Sequence, residues 1–296
     1  MMSARSSYSL KLLLVFAASV FLTNRAQAQE AGINDLHWAY SAYFGTGWYQ
    51  VSGDRDVYVL RITPPRWNIG DADYSADGEK TIGIELKFPI TLGLDSFDLD
   101  NLPEAIDLDN VASISVTPGI DITIPVTARW SLRPYAAVGW GTTLGGSESS
   151  WTYWGGVKSH YSFKNGNLDW ALINSVSYVG YTPNQGQSEY FLPLMAGLEF
   201  DYPFGKRKLD DEQLMLSWHG MYTSFESNLD FVFDGGPLRP TDPITDQWEF
   251  GISLRKQTSP IRIWFMKFDR LGLAYRFSSS GDLKGISFVF RSMFER

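Results

Sequence analysis

Histidine is the side chain whose ordinary titration lies nearest neutrality, and the chain has three: His37, His160 and His219. It has no cysteine, so a thiolate nucleophile, a thiolate metal site and a disulfide framework are all excluded. Acyl hydrolysis would need a serine nucleophile, a histidine base and a polar group to orient that base. Ser159-His160-Tyr161-Ser162 brings serine and histidine together in sequence. In extended backbone, however, adjacent side chains point to opposite faces, so Ser159 and His160 do not meet, and Ser162 lies a full repeat from His160. Hard oxygen ligands crowd a second stretch, Asp95, Asp98, Asp100, Glu104, Asp107 and Asp109. That density suits Ca²⁺ or Mg²⁺, but no glycine stands where an EF-hand turn needs one, and the stretch reads as a solvated acidic loop. No catalytic residue, cofactor or metal ligand is therefore expected.

The elements that would carry these residues are written in a period of two. From Thr81 to Asp95 the even positions are Ile82, Ile84, Leu86, Phe88, Ile90, Leu92 and Leu94, with polar residues, Gly and Pro between them. From Ala112 to Thr127 the even positions are again apolar except Pro118, and Ser113, Ser115, Thr117, Asp121 and Thr123 alternate with them. Each stretch has one apolar face and one polar face. Both are well beyond the usual strand of about 5–6 residues, a length that fits a tilted crossing of a bilayer. The stretch Ser150 to Lys164 adds aromatics at both ends of its odd face, Trp151, Tyr153, Tyr161 and Phe163, with Gly155, Val157 and Ser159 between. Rings spaced that way fall near the two membrane interfaces.

The N-terminus reads as a secretory signal. Arg5 and Lys11 precede the apolar run Leu12 to Leu22, and Ala26-Gln27-Ala28 offers a cleavage site, so residues 1–28 are removed and 29–296 form the mature domain. The run is shorter than the roughly 20 residues of a membrane helix. Aromatics make up 15% of the chain, which combines with a slightly negative mean hydropathy to fit a wall that is aromatic outside and polar inside. A net charge of −8 and the lack of a basic stripe argue against a nucleic-acid partner.

About twelve strands are expected, the first over Leu36 to Phe44 and the last over Leu283 to Phe294. Gly45–Arg55, Ser96–Asn110 and Asn228–Asp246 fall among the outer connections. Pro64 to Lys80 is too long for the short-turn side, so either a strand boundary is misplaced or the segment enters the lumen. Ile261 to Phe268 breaks parity and reads as a turn at the membrane edge or a bulged strand start. Parity points Glu85, Lys87, Asp121, Lys158, His160, Glu199, Arg255 and Arg276 inward, together with Asp169, Asp201 and Glu249. Charges of both signs there imply a hydrated lumen crossed by ion pairs, narrow or partly closed.

The terminal strand carries Gly285, then Phe288, Phe290 and Phe294 at alternate positions. This resembles the assembly signal of bacterial outer-membrane barrels, although Glu295 and Arg296 follow the last aromatic and Leu283 occupies a position that is usually polar. With Trp130-Ser-Leu-Arg-Pro-Tyr135 leading into a glycine-rich strand, the chain resembles the solitary autotransporter-like barrels of Gram-negative bacteria. That resemblance implies no catalytic residue, and the short stretch before the first strand leaves no room for a passenger.

The fold class expected is all-β, a transmembrane antiparallel up-and-down β-barrel. The function expected is an integral outer-membrane protein, reached through the general secretory pathway, with a structural, small-pore or surface-binding role and no enzyme activity. Its partners would be outer-membrane lipid, lipopolysaccharide, the barrel-assembly machinery and periplasmic chaperones. The alternatives are a barrel enzyme acting on lipid or lipopolysaccharide, and a secreted soluble β-sandwich or lipocalin-like carrier.

Overall fold

The structure is a computed structural model that describes residues 35–37, 44–51, 55–63, 66–95, 111–144, 149–184, 188–233, 236–238, 244–263 and 266–294. Its wall is a closed antiparallel barrel of twelve strands. The first six are Gly47–Val51, Arg55–Ile62 continued by Trp67–Gly70, Gly83–Lys87 with Ile90–Asp95, Val111–Val116 with Gly119–Thr127, Trp130–Thr143, and Ser149–Asn165. The remaining six are Leu168–Pro183, Glu189–Phe191 with Pro193–Leu209, Glu212–Phe233, Gly236–Leu238 with Ile244–Lys256, Leu271–Phe277, and Leu283–Val289. Sequential strands pair along the chain, and the seam closes where Gly47–Val51 runs antiparallel to the last strand, from Gly47 opposite Ser287 to Val51 opposite Leu283. Closure leaves no unpaired edge, which hydrocarbon would not tolerate.

The period of two sorts the side chains as the pleat requires. Val138, Trp151, Val176, Phe250, Leu273 and Phe288 are among the exposed apolar residues of the outer face, while their neighbours Thr152, Ser175, Ser177, Gly251, Ala274 and Ser287 are buried inside. A soluble sandwich or carrier would have to cover that outer face with protein, and here it girdles the wall. Aromatics stack along both ends of the belt. Tyr153, Tyr178 and Tyr190 stack toward the long connections, with centroids 6.1 and 5.3 Å apart. Phe163, Trp170 and Phe200 follow one another toward the short turns at 6.1 and 4.9 Å. Amphipathic and flat rings of this kind belong at a lipid–water boundary.

Several strand boundaries differ from the sequence reading. Leu36–Phe44 is not a wall strand: Asp35–His37 pairs in parallel with residues 230–232, residues 38–43 lie outside the described residues, and the wall begins at Gly47. Gly45 turns the chain with a φ of 79°, a conformation without steric penalty only for glycine. The expected outer connection Gly45–Arg55 thus contains the first strand. Pro64–Lys80 is a misplaced boundary and not a lumen insert, since Trp67–Gly70 and Asp73–Tyr74 form the rising arm of a long hairpin on Lys80–Lys87. Ile261–Phe268 is neither a bulged start nor a simple turn but a small separate hairpin. The expected loop Asn228–Asp246 is partly strand, continuing the wall through residues 231–233 paired with 236–238.

The interior is a packed core in its half toward the long connections. Phe44, Tyr49, Val59, Val179, Tyr181, Phe191, Phe225, Ile244 and Leu283 form one buried apolar cluster there. In this half the lumen, expected to be hydrated and narrow or partly closed, is occupied by apolar side chains. Alternation identifies which residues face inward, but it does not report how far they reach across a cylinder this narrow.

Val176 lies midway along its strand and is 58% exposed on the outer face. Val176→Arg places a cation near the bilayer midplane at a cost of about 2–4 kcal/mol. We expect a clear fall in folded, heat-modifiable protein in the membrane fraction, and an unchanged yield would show that this face does not meet lipid.

Candidate functional site: the barrel interior

Below the apolar cluster, toward the short turns, the interior becomes ionic. Four groups of side chains occupy it, drawn from the wall strands and from the connections between them. In the first, Lys87 pairs with Asp121, lies 3.6 Å from Glu85, and Glu85 accepts from Arg66 Nη1 at 2.7 Å. Arg133 joins through Asp121 at 3.7 Å and donates from Nε to Thr123 at 3.1 Å. In the second, Asp201 accepts from Ser217 Oγ and, at 2.6 Å, from Arg255 Nε. In the third, Glu199 accepts from Arg270 Nη2 at 2.8 Å. The fourth is a fully buried triad: His219 Nε2 lies 2.7 Å from Glu249 Oε1, while Arg276 Nε pairs with Glu249 Oε2. Arg276 Nη1 then donates to the Phe44 carbonyl at 2.8 Å, tying the ionic layer to the apolar one. Gly251 gives the His219 ring its place, because a Cβ there would lie 2.2 Å from His219 Cε1.

The end of the chain completes the filling. The last strand stops at Val289, and beyond it the chain turns so that Met293 and Phe294 lie in the lumen. Met293 and Phe294 are buried against Ile173, with Ala171, Met195 and Met221 around them. The Phe294 carbonyl accepts from Arg133 Nη1 at 3.3 Å and from Lys158 Nζ at 3.5 Å. Its ring lies 4.4 Å from the Arg133 guanidinium and 4.8 Å from the His160 ring, a cation–π contact on one partner and a ring contact on the other. Met293 N donates to Glu199 Oε2 at 3.5 Å. Between this segment and the short turns remains a cavity of about 520 Å³, lined by His160, Asp201, Arg255, Ser259, Arg270 and Ser292 among others.

Eight of the eleven residues expected to face inward sit as follows. Glu85, Lys87 and Asp121 share one ion network; Lys158 and His160 hold the terminal segment; Glu199, Arg255 and Arg276 each belong to a separate pair or triad. Arg133 was legible by the same parity but not singled out. Arg66 and Arg270 stand between strands, where alternation carries no signal. Of the four residues in the terminal motif, Gly285 faces inward against the Tyr49 ring, Phe288 is exposed on the outer face, and Phe290 stacks on Phe288. Phe294 is off the strand and inside the barrel, so the even spacing of the aromatics does not keep it on the face of the others.

Ser159 and His160 lie on opposite faces of their strand. Ser159 Oγ accepts from Trp130 Nε1 at 3.0 Å, while the His160 ring contacts Phe294. His219 is engaged by Glu249, and the side chain of His37 lies outside the described residues. Among the described residues no three His, Asp or Glu side chains converge as a metal site, and the acidic stretch beyond Asp95 lies outside them.

At the short-turn end one carboxylate organises a loop. The strand Glu212–Phe233 has 22 residues, more than the hydrocarbon thickness of about 30 Å requires, and Glu212 lies at its outermost turn. Glu212 accepts from Ser259 Oγ, from Thr258 Oγ1 at 2.8 Å and from the amides of Thr258 and Ser259 at 3.1 and 3.0 Å. The two hydroxyls, Ser259 first, hold its carboxyl down to about 2. This tie is present above the ordinary carboxylate range and is lost as pH falls toward that value.

The closed wall, its aromatic belts and its outward apolar face define a transmembrane β-barrel. No protein-family model and no curated protein matches the chain. Solved structures similar to it include two outer-membrane proteins, LpxR and a NanC porin. LpxR from Salmonella typhimurium is 15% identical, with 81% of this chain and 91% of that one covered and a TM-score of 0.41. A NanC porin is 10% identical, with 82% and 97% covered and a TM-score of 0.36. The expectation of no enzyme activity is corrected: barrel architecture is no ground for excluding catalysis.

Removing one member of a buried ion group strands the others. Glu249→Leu leaves His219 and Arg276 without their shared carboxylate and should destabilise the barrel by about 3–5 kcal/mol in urea unfolding from micelles. Asp169→Leu, which breaks the exposed pair with Lys164, should change stability by less than about 1 kcal/mol. Equal effects would show that the triad is not buried.

Proposed function

We propose that the protein is an integral outer-membrane barrel whose lumen is closed by its own residues, and that it acts through the surfaces it presents to lipid and lipopolysaccharide rather than as an open passage for solutes. The observation that carries this reading is the double filling of the interior: the apolar cluster around Tyr49 and Phe191 in one half, the ionic groups and the inserted Met293–Phe294 in the other. A porin lumen instead keeps an aqueous channel, and the porins that do so use more strands, about 16–18.

On the same reading, residues 1–28 direct secretion and are removed, and periplasmic chaperones pass the chain to the barrel-assembly machinery. The short turns face the periplasm and the long connections face outward, the usual asymmetry of such barrels. Gly285, Phe288 and Phe290 serve as the assembly signal, supported by the outward placement of Phe288. Membership among the solitary autotransporter-like barrels draws support from the strand number; the inward course of Phe294 departs from that pattern.

Planar-bilayer recording of the purified full-length barrel tests the closed lumen. We expect no stable porin-like steps across physiological voltages. Large, long-lived conductance steps would overturn the reading.

A further inference from the structure

The hairpin of Ile261–Ile263 and Met266–Phe268 stands apart from the barrel sheet, and its register sorts it into two chemical faces. Ile261 pairs with Phe268 and Ile263 with Met266 on one face, while Arg262 pairs with Lys267 on the other. The apolar face continues the lipid surface of the wall. Ile261 is buried, the Phe268 ring lies 5.2 Å from Phe290, and Phe290 lies 6.1 Å from Phe288, which is exposed on the outer belt. Beyond them Ile263 and Met266 remain 48% and 42% exposed. Arg262 and Lys267 are both exposed and have no ion-pair partner among the described residues.

The position of this hairpin on the rim is fixed. Glu212 grips Thr258 and Ser259, two residues before the hairpin begins, and Lys256 pairs with Asp210 at 3.1 Å. These contacts hold the hairpin stem beside the turn that joins Pro193–Leu209 to Glu212–Phe233. The strand end leading into that turn carries Lys206, Arg207 and Lys208, all exposed, with Arg207 4.7 Å over the Phe204 ring. Asp210 is engaged by Lys256 and Glu212 by the loop, while Asp211 and Asp269 are the exposed acids adjoining the turn and the hairpin in sequence.

We propose that this stretch of rim, Arg262 and Lys267 with Lys206, Arg207 and Lys208, is a docking site for the headgroups of anionic phospholipids in the leaflet that meets the short-turn end. Exposed apolar side chains set beside unpaired cations match the boundary between acyl chains and phosphates. Basic residues at that depth attract anionic lipid over neutral lipid. The inference rests on the barrel being embedded in a bilayer and is independent of whether its lumen conducts.

The test uses the full-length barrel in nanodiscs of phosphatidylcholine mixed with phosphatidylglycerol, followed by native mass spectrometry of the retained lipids. The native chain should retain phosphatidylglycerol several-fold over phosphatidylcholine, and that enrichment should shrink as salt is raised. Arg262→Gln/Lys267→Gln, checked for folding by its heat-dependent gel shift, should lose most of the enrichment. Lys284→Gln, at the opposite end of the barrel, should keep it. No enrichment in the native chain, enrichment insensitive to salt, or enrichment unchanged in the double variant would each overturn the proposal.

Discussion

Every feature of this molecule depends on one requirement: a backbone surrounded by hydrocarbon must satisfy its own amides and carbonyls. Twelve strands meet it only if the first returns to the last. The seam is short, running only from Gly47 opposite Ser287 to Val51 opposite Leu283, while other pairs run much longer. It is placed where Gly45 releases the chain from the interior and where Gly285 makes room for the Tyr49 ring. The Tyr49 hydroxyl then donates to the Phe44 carbonyl at 2.7 Å, fastening the incoming segment to the strand that closes the wall.

Closure creates a second problem, because a narrow cylinder must be filled. Here the two halves are filled by different physics. Toward the long connections, aromatic and aliphatic side chains meet as in a soluble core. Toward the short turns, opposite charges share carboxylates, and the last residues of the chain supply a ring and carbonyl to Arg133, Lys158 and His160. Buried ion groups contribute little net stability compared with apolar packing, but removing a single partner is severe. The ionic half therefore favours one arrangement of the wall over slipped ones, since a slip of one residue would carry Glu249 or Asp201 into lipid.

Much of this was legible in the residues themselves. The alternation over 81–95 and 112–127 marks an outer and an inner face, and the aromatic ends of Ser149–Asn165 mark its two interfaces. The inward charges at Glu85, Asp121, Glu199 and Arg276 follow from parity alone. What parity could not supply was anything set by distance across the lumen: the apolar cluster, the partner of each charge, and the entry of Arg66 and Arg270 from connections between strands. Phe294 illustrates the limit. Its spacing from Phe288 and Phe290 implies a shared face, but pleat periodicity ends with the last ladder bond at Val289, and beyond it the basic side chains in the lumen decide where the ring goes.

The absence of cysteine offers a direct measurement of closure. Gln50 and Lys284 are paired across the seam near the rim, within the separation a disulfide spans between paired strands. In the folded protein, Gln50→Cys/Lys284→Cys should form an intramolecular disulfide rapidly under mild oxidation, visible as a shifted band on a denaturing, non-reducing gel. Free thiols persisting in fully folded, membrane-inserted protein would contradict the closed cylinder.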